Sequence, residues 1–192
     1  MNQRRKFWMR WRVRAGYPVA AAFWLFAAPS RHSLVVGGIV AGFGLFIRGV
    51  ASGYLRKDQE LAVGGPYART RNPLYLGSAL IAAGFVLVGR SWWAGGLVAV
   101  YFATFYYAVM RNEEQDLRVR FGEVYESYAA RVPFFFPALT VRKEVEVPSD
   151  KEAPVFSFQQ FHRNREYRAL IGTIAGLAVM WLRIWIRARF GY

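Results

Sequence analysis

The sequence predicts an all-α, polytopic membrane protein of about five transmembrane helices, arranged as two hairpins and a C-terminal span with a cytoplasmic interfacial helix. Three observations carry this reading. Of 192 residues, 55% are hydrophobic and 18% aromatic against 20% charged, more apolar than an ordinary soluble domain. The apolar residues gather into runs that, at about 1.5 Å per residue, approach a hydrocarbon core of about 30 Å. The formal charge of +14 sits at the ends of those runs, as topology signals do. No nucleic-acid recognition motif accompanies the charge, so nucleic acid is excluded as a partner. The absence of cysteine excludes disulfide and thiolate chemistry.

The opening Met1 to Arg14 is rich in Arg and Lys, and an apolar run from Tyr17 to Ala28 follows. A signal peptide has this pattern. A second apolar run, Leu34 to Ile47, begins after only Pro29-Ser30-Arg31-His32-Ser33, which favours a retained helical hairpin, with helices at 15–29 and 34–54. A second hairpin, 73–89 and 92–111, turns at Gly89-Arg90-Ser91. The first and third runs are short, and extend into interfacial Trp8, Tyr17 and Tyr75 or lie in a thinned bilayer. Residues 141–166 are polar, contain Pro148 and Pro154, and read as a cytoplasmic loop with a short interfacial helix near Phe156 to Phe161. A last span covers 167–187. The whole is one membrane domain: an N-terminal hairpin (1–54), a core (55–140), the loop (141–166) and an additional C-terminal helix (167–192).

Placing the N-terminus in the cytoplasm puts 1–14, 48–72 and 111–168 on that side, with most of the Lys and Arg and all of the Asp and Glu. The opposite side receives Arg31, Arg90, Arg183, Arg187 and Arg189, in keeping with the positive-inside rule; in a bacterium this is the inner membrane. Gly37, Gly38, Gly42 and Gly44 in the second span and Gly77 and Gly84 in the third read as close helix packing. Gly77, beside Tyr75, also reads as a point of backbone access to a site.

Two polar clusters flank the second hairpin. Gly64-Gly65-Pro66-Tyr67 and Arg69-Thr70-Arg71-Asn72-Pro73 precede it, and Glu113-Glu114 follows it. Two spans returning through one turn bring Arg71 and Glu113 to the same face. Glycine and proline interrupt helix on either side of Arg69 and Arg71, leaving backbone donors and an Arg fork suited to a carboxylate. Glu113 and Glu114 suit a cationic group, or pair with Arg111, Arg118 or Arg120. Tyr67 and Tyr75 are site aromatics or members of the interfacial belt. From Leu117, the spacing of Phe121, Val124, Tyr125 and Tyr128 predicts an amphipathic helix on the membrane surface or over the site. Phe134, Phe135 and Phe136, with Tyr106 and Met110, are candidate walls of a lateral entrance for a lipophilic acceptor. His32 and His162 have no partner cluster, and no metal is assigned.

The string Gly65-Pro66-Tyr67 with Arg71-Asn72-Pro73-x-Tyr75-x-Gly77, an apolar hairpin, then Glu113-Glu114-x-x-Leu117, Phe121-Gly122-x-x-Tyr125-x-x-Tyr128 and Val132-Pro133 resembles the isoprenylcysteine carboxyl methyltransferase and phospholipid methyltransferase group of integral membrane enzymes. The resemblance covers roughly residues 54–137. It implies S-adenosylmethionine as methyl donor and S-adenosylhomocysteine as product. It places Tyr67, Arg71, Asn72, Pro73, Tyr75 and Gly77 in the cofactor pocket, and Glu113 and Glu114 on the methionine ammonium or ordering the site; Glu113, Glu114 and Arg71 are its catalytic candidates. Carboxyl-methylating members of eukaryotes typically have His where this chain has Asn72. The expected function is methylation of a small lipophilic or lipid-borne carboxylate, amine or thiol. A non-catalytic scaffold of the same fold and a nicotinamide-dependent membrane reductase of related architecture are the alternatives.

Overall fold

The structure, a computed structural model, describes residues 3–56, 60–140 and 155–190, without the side chains of residues 3–6 and 9. The described residues form helices and connecting turns and no strand. In order they are α1 (Gln3–Phe26), α2 (Arg31–Tyr54), a 3₁₀ turn (Gly65–Ala68), α3 (Pro73–Gly89), α4 (Trp92–Tyr101), a π-helical turn (Phe102–Tyr106), α5 (Tyr107–Arg131), α6 (Phe158–Arg163) and α7 (Tyr167–Phe190). Most of the expected cytoplasmic loop, 141–154, lies outside the described residues.

Among the described residues three helices are long and apolar enough to cross a membrane: α2, the rod from Trp92 to Arg131, and α7. α3 is apolar but only 17 residues long. α1 begins at Gln3 rather than near residue 15, because Arg, Lys, Trp and Met are adequate helix formers and nothing in 3–14 breaks the helix. Pro18 is accommodated within it.

A second departure concerns 92–131. The expected span and a separate amphipathic helix from Leu117 are one rod, because no breaker stands between Met110 and Gly122. The rod bends at Gly122, whose φ of 51° and ψ of −126° leave the helical region, a backbone state that glycine adopts without a Cβ clash.

α2 and α3 pack against each other closely through small residues. A Cβ on Gly44 would stand 2.6 Å from the Gly77 carbonyl oxygen, and one on Gly37 would stand 2.3 Å from that of Gly84. The seven-residue spacing of Gly37 and Gly44 on α2, and of Gly77 and Gly84 on α3, sets the glycines of each helix on one face, so the backbones meet along two turns, as small-residue contacts allow in lipid. Gly38 and Gly42 face open space. With its glycine face occupied by α3, α2 leaves α1 to pack along α4 and the π turn. The first two helices are thus joined by a tight turn without pairing as a hairpin. Ser30 caps α2 reciprocally with Ser33, and the turn is tied to the end of α3 by Ala28 N–H to the Gly89 carbonyl (2.7 Å) and Ser33 Oγ to the Val88 carbonyl (2.9 Å). Phe23, Ala27, Val88, Ala94 and Met180 form the core at this end.

α7 crosses back over the bundle. At one end Arg183 donates to the Trp24 and Leu25 carbonyls and lies over the Trp24 ring, satisfying carbonyls that the last turn of α1 leaves open. At the other, Asn164 donates to the Ser52 and Leu55 carbonyls at the end of α2 (2.8 and 2.9 Å). Arg48 donates to both Glu166 oxygens (3.0 and 2.9 Å) and to the Leu74 carbonyl (3.0 Å), and also meets Ser78. One guanidinium therefore locks α2, the first turn of α3 and the start of α7 together.

Candidate functional site

The site lies at the α2 C-terminus and α3 N-terminus, where residues 60–72 and the second half of α5 fold over the helix ends. Gly65 makes this loop possible: its φ is 56°, and the Tyr54 ring packs where a Cβ would stand, 2.7 Å away. Tyr67 is buried beneath it with Ala51 and Ala62, and its carbonyl accepts from the Tyr128 hydroxyl at 2.8 Å. Burial pushes the Tyr67 phenol above the ordinary tyrosine range, so it remains a neutral group rather than a base. Leu61, Tyr125, Tyr128 and Val132 form the small core that seats the end of α5 on the loop.

Four hydrogen bonds lace residues 69–72 to 133–138. Arg71 N–H donates to the Pro133 carbonyl (2.9 Å), Asn72 Nδ2 to that of Phe134 (2.8 Å), Thr70 Oγ1 to that of Phe135 (2.8 Å), and Ala138 N–H to that of Arg69 (2.9 Å). Asn72 thereby holds the chain just before Pro73 starts α3, in a non-helical backbone state with φ of −127° and ψ of 52°.

The arginine and acid clusters meet as expected. Arg71 Nη1 pairs with Glu114 Oε1 and lies 3.4 Å from the Tyr125 hydroxyl. Its guanidinium also rests over the Phe134 ring at 5.4 Å, a favourable cation–π arrangement. Glu114 is only 4% exposed and is further paired with Arg111 (2.6 Å) and Arg118 (3.5 Å). Its neighbour Glu113 accepts from the Tyr75 hydroxyl at 2.9 Å. Arg71 Nε is buried without a hydrogen-bond partner. A buried guanidinium N–H in that state costs free energy unless a ligand satisfies it.

These groups border a cavity of about 240 Å³. Of the residues the sequence marked for a site, Tyr67, Arg71, Asn72, Pro73, Tyr75, Met110, Glu113 and Glu114 line it. Gly77 instead packs against Gly44 and Arg48. Tyr106 lies behind the wall, edge-on to Tyr75 at 5.8 Å. Phe135 contributes a backbone carbonyl, while its ring packs on Phe136 at 5.4 Å. The aromatic that reaches the arginine is Phe134, which sequence reading did not separate from its two neighbours. The apolar lining of Leu55, Leu61, Leu117 and Phe121 includes two positions, Leu55 and Leu61, that carried no sequence signal. Among the described residues no three His, Cys, Asp or Glu gather as a metal site.

This constellation joins a buried cation with a spare donor to a carboxylate, beside apolar walls, at the mouth of a helical bundle. Such a donor set has the chemistry to meet a carboxylate and a cationic group side by side. Residues 33–124 match the family model described as phospholipid methyltransferase. That stretch runs from α2 into α5 and covers a little under half of the chain, which is similar to the phospholipid methyltransferase family there. It is 37% identical over 86 residues to the nickel-cobalt-cadmium resistance protein NccN of Alcaligenes xylosoxydans xylosoxydans, across 45% of this chain and 40% of that protein. To the cobalt-zinc-cadmium resistance protein CzcN of Cupriavidus metallidurans it is 38% identical over 86 residues, across 45% and 39%. The matched stretch thus spans about two fifths of the length of these curated relatives. No solved structure matches the chain.

Proposed function

We propose that the protein is an S-adenosylmethionine-dependent membrane methyltransferase acting on a lipophilic or lipid-borne acceptor. The observation that carries this is the buried, partnerless Nε of Arg71 in a cavity that also holds the Glu113 carboxylate. The donor set suits the methionine end of the cofactor: Arg71 for the carboxylate, Glu113 for the ammonium, each through a charge-assisted hydrogen bond. When bound, S-adenosylmethionine supplies a methyl group activated by a sulfonium. Glu114, with three arginines around it, holds the Arg71 fork in place, and Phe134 supports that fork from its ring face. Leu55, Leu61, Leu117 and Phe121 keep water from the apolar part of the ligand. Displacement at a methyl carbon needs alignment above all, so a rigid pocket is the main catalytic contribution. A carboxylate or thiolate acceptor needs no base, whereas an ammonium acceptor must first lose a proton.

The topology proposed with it has five crossings: α1 and α3 join the three longer spans by tilt and by interfacial residues. The N-terminus and the site face the cytoplasm, where the cofactor is supplied. The relatives' names speak of resistance to nickel, cobalt, zinc and cadmium. A methylated membrane component is the contribution to such resistance that this site's chemistry supports.

Calorimetric titration of detergent-purified protein with S-adenosylhomocysteine tests the reading. Saturable binding, weakened in Glu113→Gln, is expected. A heat of dilution alone would reject it.

A further inference from the structure

The elbow between α6 and α7 presents a cationic surface that the cavity does not use. From residue 155 to residue 190 the sole acid is Glu166, and it is spent on Arg48. Arg163, Arg165 and Arg168 are exposed, and among the described residues no carboxylate pairs with them. None of the three lines the cavity. Arg165 stands at a φ of 57°, where glycine or asparagine would sit at lower cost, so the turn itself does not call for arginine there.

The elbow is held from beneath. Ser157 N–H donates to the Gly53 carbonyl at 3.1 Å, the Phe156 ring packs on the bare backbone of Gly53, and Phe161 lies over Gly49. Asn164 closes the far side by bridging the Ser52 and Leu55 carbonyls. Outward, Val155 and Phe158 are 71% and 74% exposed beside the arginines. α7 begins at Tyr167 and is apolar enough to cross a membrane, so the elbow sits where that span reaches the bilayer surface. Exposed apolar groups next to unpaired arginines at that level suit the headgroup boundary, with the apolar groups at the acyl edge and the guanidiniums at the phosphates.

We propose that the α6–α7 elbow is a docking surface for anionic phospholipid headgroups, separate from the cavity. Charge complementarity selects the occupant. A zwitterionic headgroup brings its own cation to each phosphate, whereas an anionic one leaves its charge for the three arginines, whose forks match phosphate oxygens. Glu166 and Arg48 tie the elbow to α2 and to the first turn of α3, so a headgroup bound there steadies the packing of α7 on the bundle. This goes beyond the methyltransferase reading and does not rest on it, because the lipid is a surface ligand here and not an acceptor.

The test uses the full chain, with retention of phosphatidylglycerol and phosphatidylcholine measured by native mass spectrometry and melting temperature measured in nanodiscs of either lipid. The wild type is expected to retain phosphatidylglycerol over phosphatidylcholine by roughly tenfold or more, and to melt higher in phosphatidylglycerol. Arg163→Gln with Arg168→Gln should lower the preference by roughly tenfold, at about fivefold or less for each arginine at a membrane surface, and should remove the melting difference. The corresponding pair of lysine substitutions should keep most of both. Arg187→Gln with Arg189→Gln, which removes the same charge from the other end of α7, should change neither. If the double glutamine variant does not fold, Arg165→Gln alone decides, with a loss of roughly fivefold expected. No phosphatidylglycerol preference in the wild type, a preference unchanged in the elbow variants, or an equal loss in the Arg187 and Arg189 control would overturn the proposal. So would a preference that emerges only when Glu144, Glu146, Asp150 and Glu152 are replaced by Gln, because the chain's own acidic segment would then be the occupant of the elbow.

Discussion

Glu113 and Glu114 are adjacent in sequence and differ in environment, and the difference divides their roles. Glu114 is buried among Arg71, Arg111 and Arg118, and in the proposed reading it orders the site; Glu113, bonded to Tyr75, lines the cavity and in that reading meets the ligand. Glu113→Gln is therefore expected to weaken S-adenosylhomocysteine binding by about 10- to 100-fold with little change in melting temperature, the range of a hydrogen bond to a charged group. Glu114→Ala should cost stability as well, about 3 kcal/mol or more, because it strands a buried guanidinium; thermal melts with and without ligand separate the two. Equal effects of both substitutions would contradict the division. At Tyr67 the raised phenol means that the fold favours the neutral form. Its contribution is fully present below the ordinary tyrosine pKa of about 10 and is lost at higher pH, as the phenol ionises in the unfolded and then the folded chain. Tyr67→Phe should flatten the alkaline fall in melting temperature. The meeting of Arg71 with the acid pair was legible because a turn between two apolar runs dictates it. Phe134 was not, since three consecutive phenylalanines give no pattern, and only the hydrogen bonds from Thr70 and Asn72 decide which ring faces the arginine.

At the scale of elements, the glycines of α2 sort by face. Gly44→Leu places side-chain atoms against the Gly77 carbonyl and Ile81, and should separate α2 from α3 at a cost of about 1–3 kcal/mol or more; Gly42→Leu, with open space around it, should be tolerated. Comparable thermal loss in both would mean that the helices do not meet on this face. Sequence placed α2, α3 and α7 well, because apolar runs bounded by Pro, Gly and charge carry both the period and the stops. It began α1 too late and divided the rod at 92–131, since basic residues were read as the end of a helix when they end only its apolar part. The π turn had no signal at all: its apolar and aromatic residues read the same in either winding.

For the whole molecule, the bundle is closed by polar contacts between distant parts of the chain. Arg48 and Glu166 are 118 residues apart, and no local pattern links them, so the C-terminal helix read as an appendage. It is in fact bonded through Arg48 to the first turn of α3, beside the cavity. Glu166→Gln should loosen that turn and lower melting temperature while leaving ligand-contacting groups intact. Five crossings with the site inside predict that a cysteine at Ser91 is labelled from the outer face and one at Ser127 from the cytoplasm; labelling of both from one side would break the proposed topology. The claim on which the rest depends is that Arg71 and Glu113 together hold a zwitterionic cofactor. Titration of S-adenosylhomocysteine into the wild type, Arg71→Lys and Glu113→Gln measures it most directly. The account predicts micromolar binding to the wild type and a loss of about tenfold or more in each variant, because lysine cannot reproduce the guanidinium fork and glutamine cannot hold the ammonium by charge. Wild-type affinity in both variants, or no binding to any of the three proteins, would contradict it.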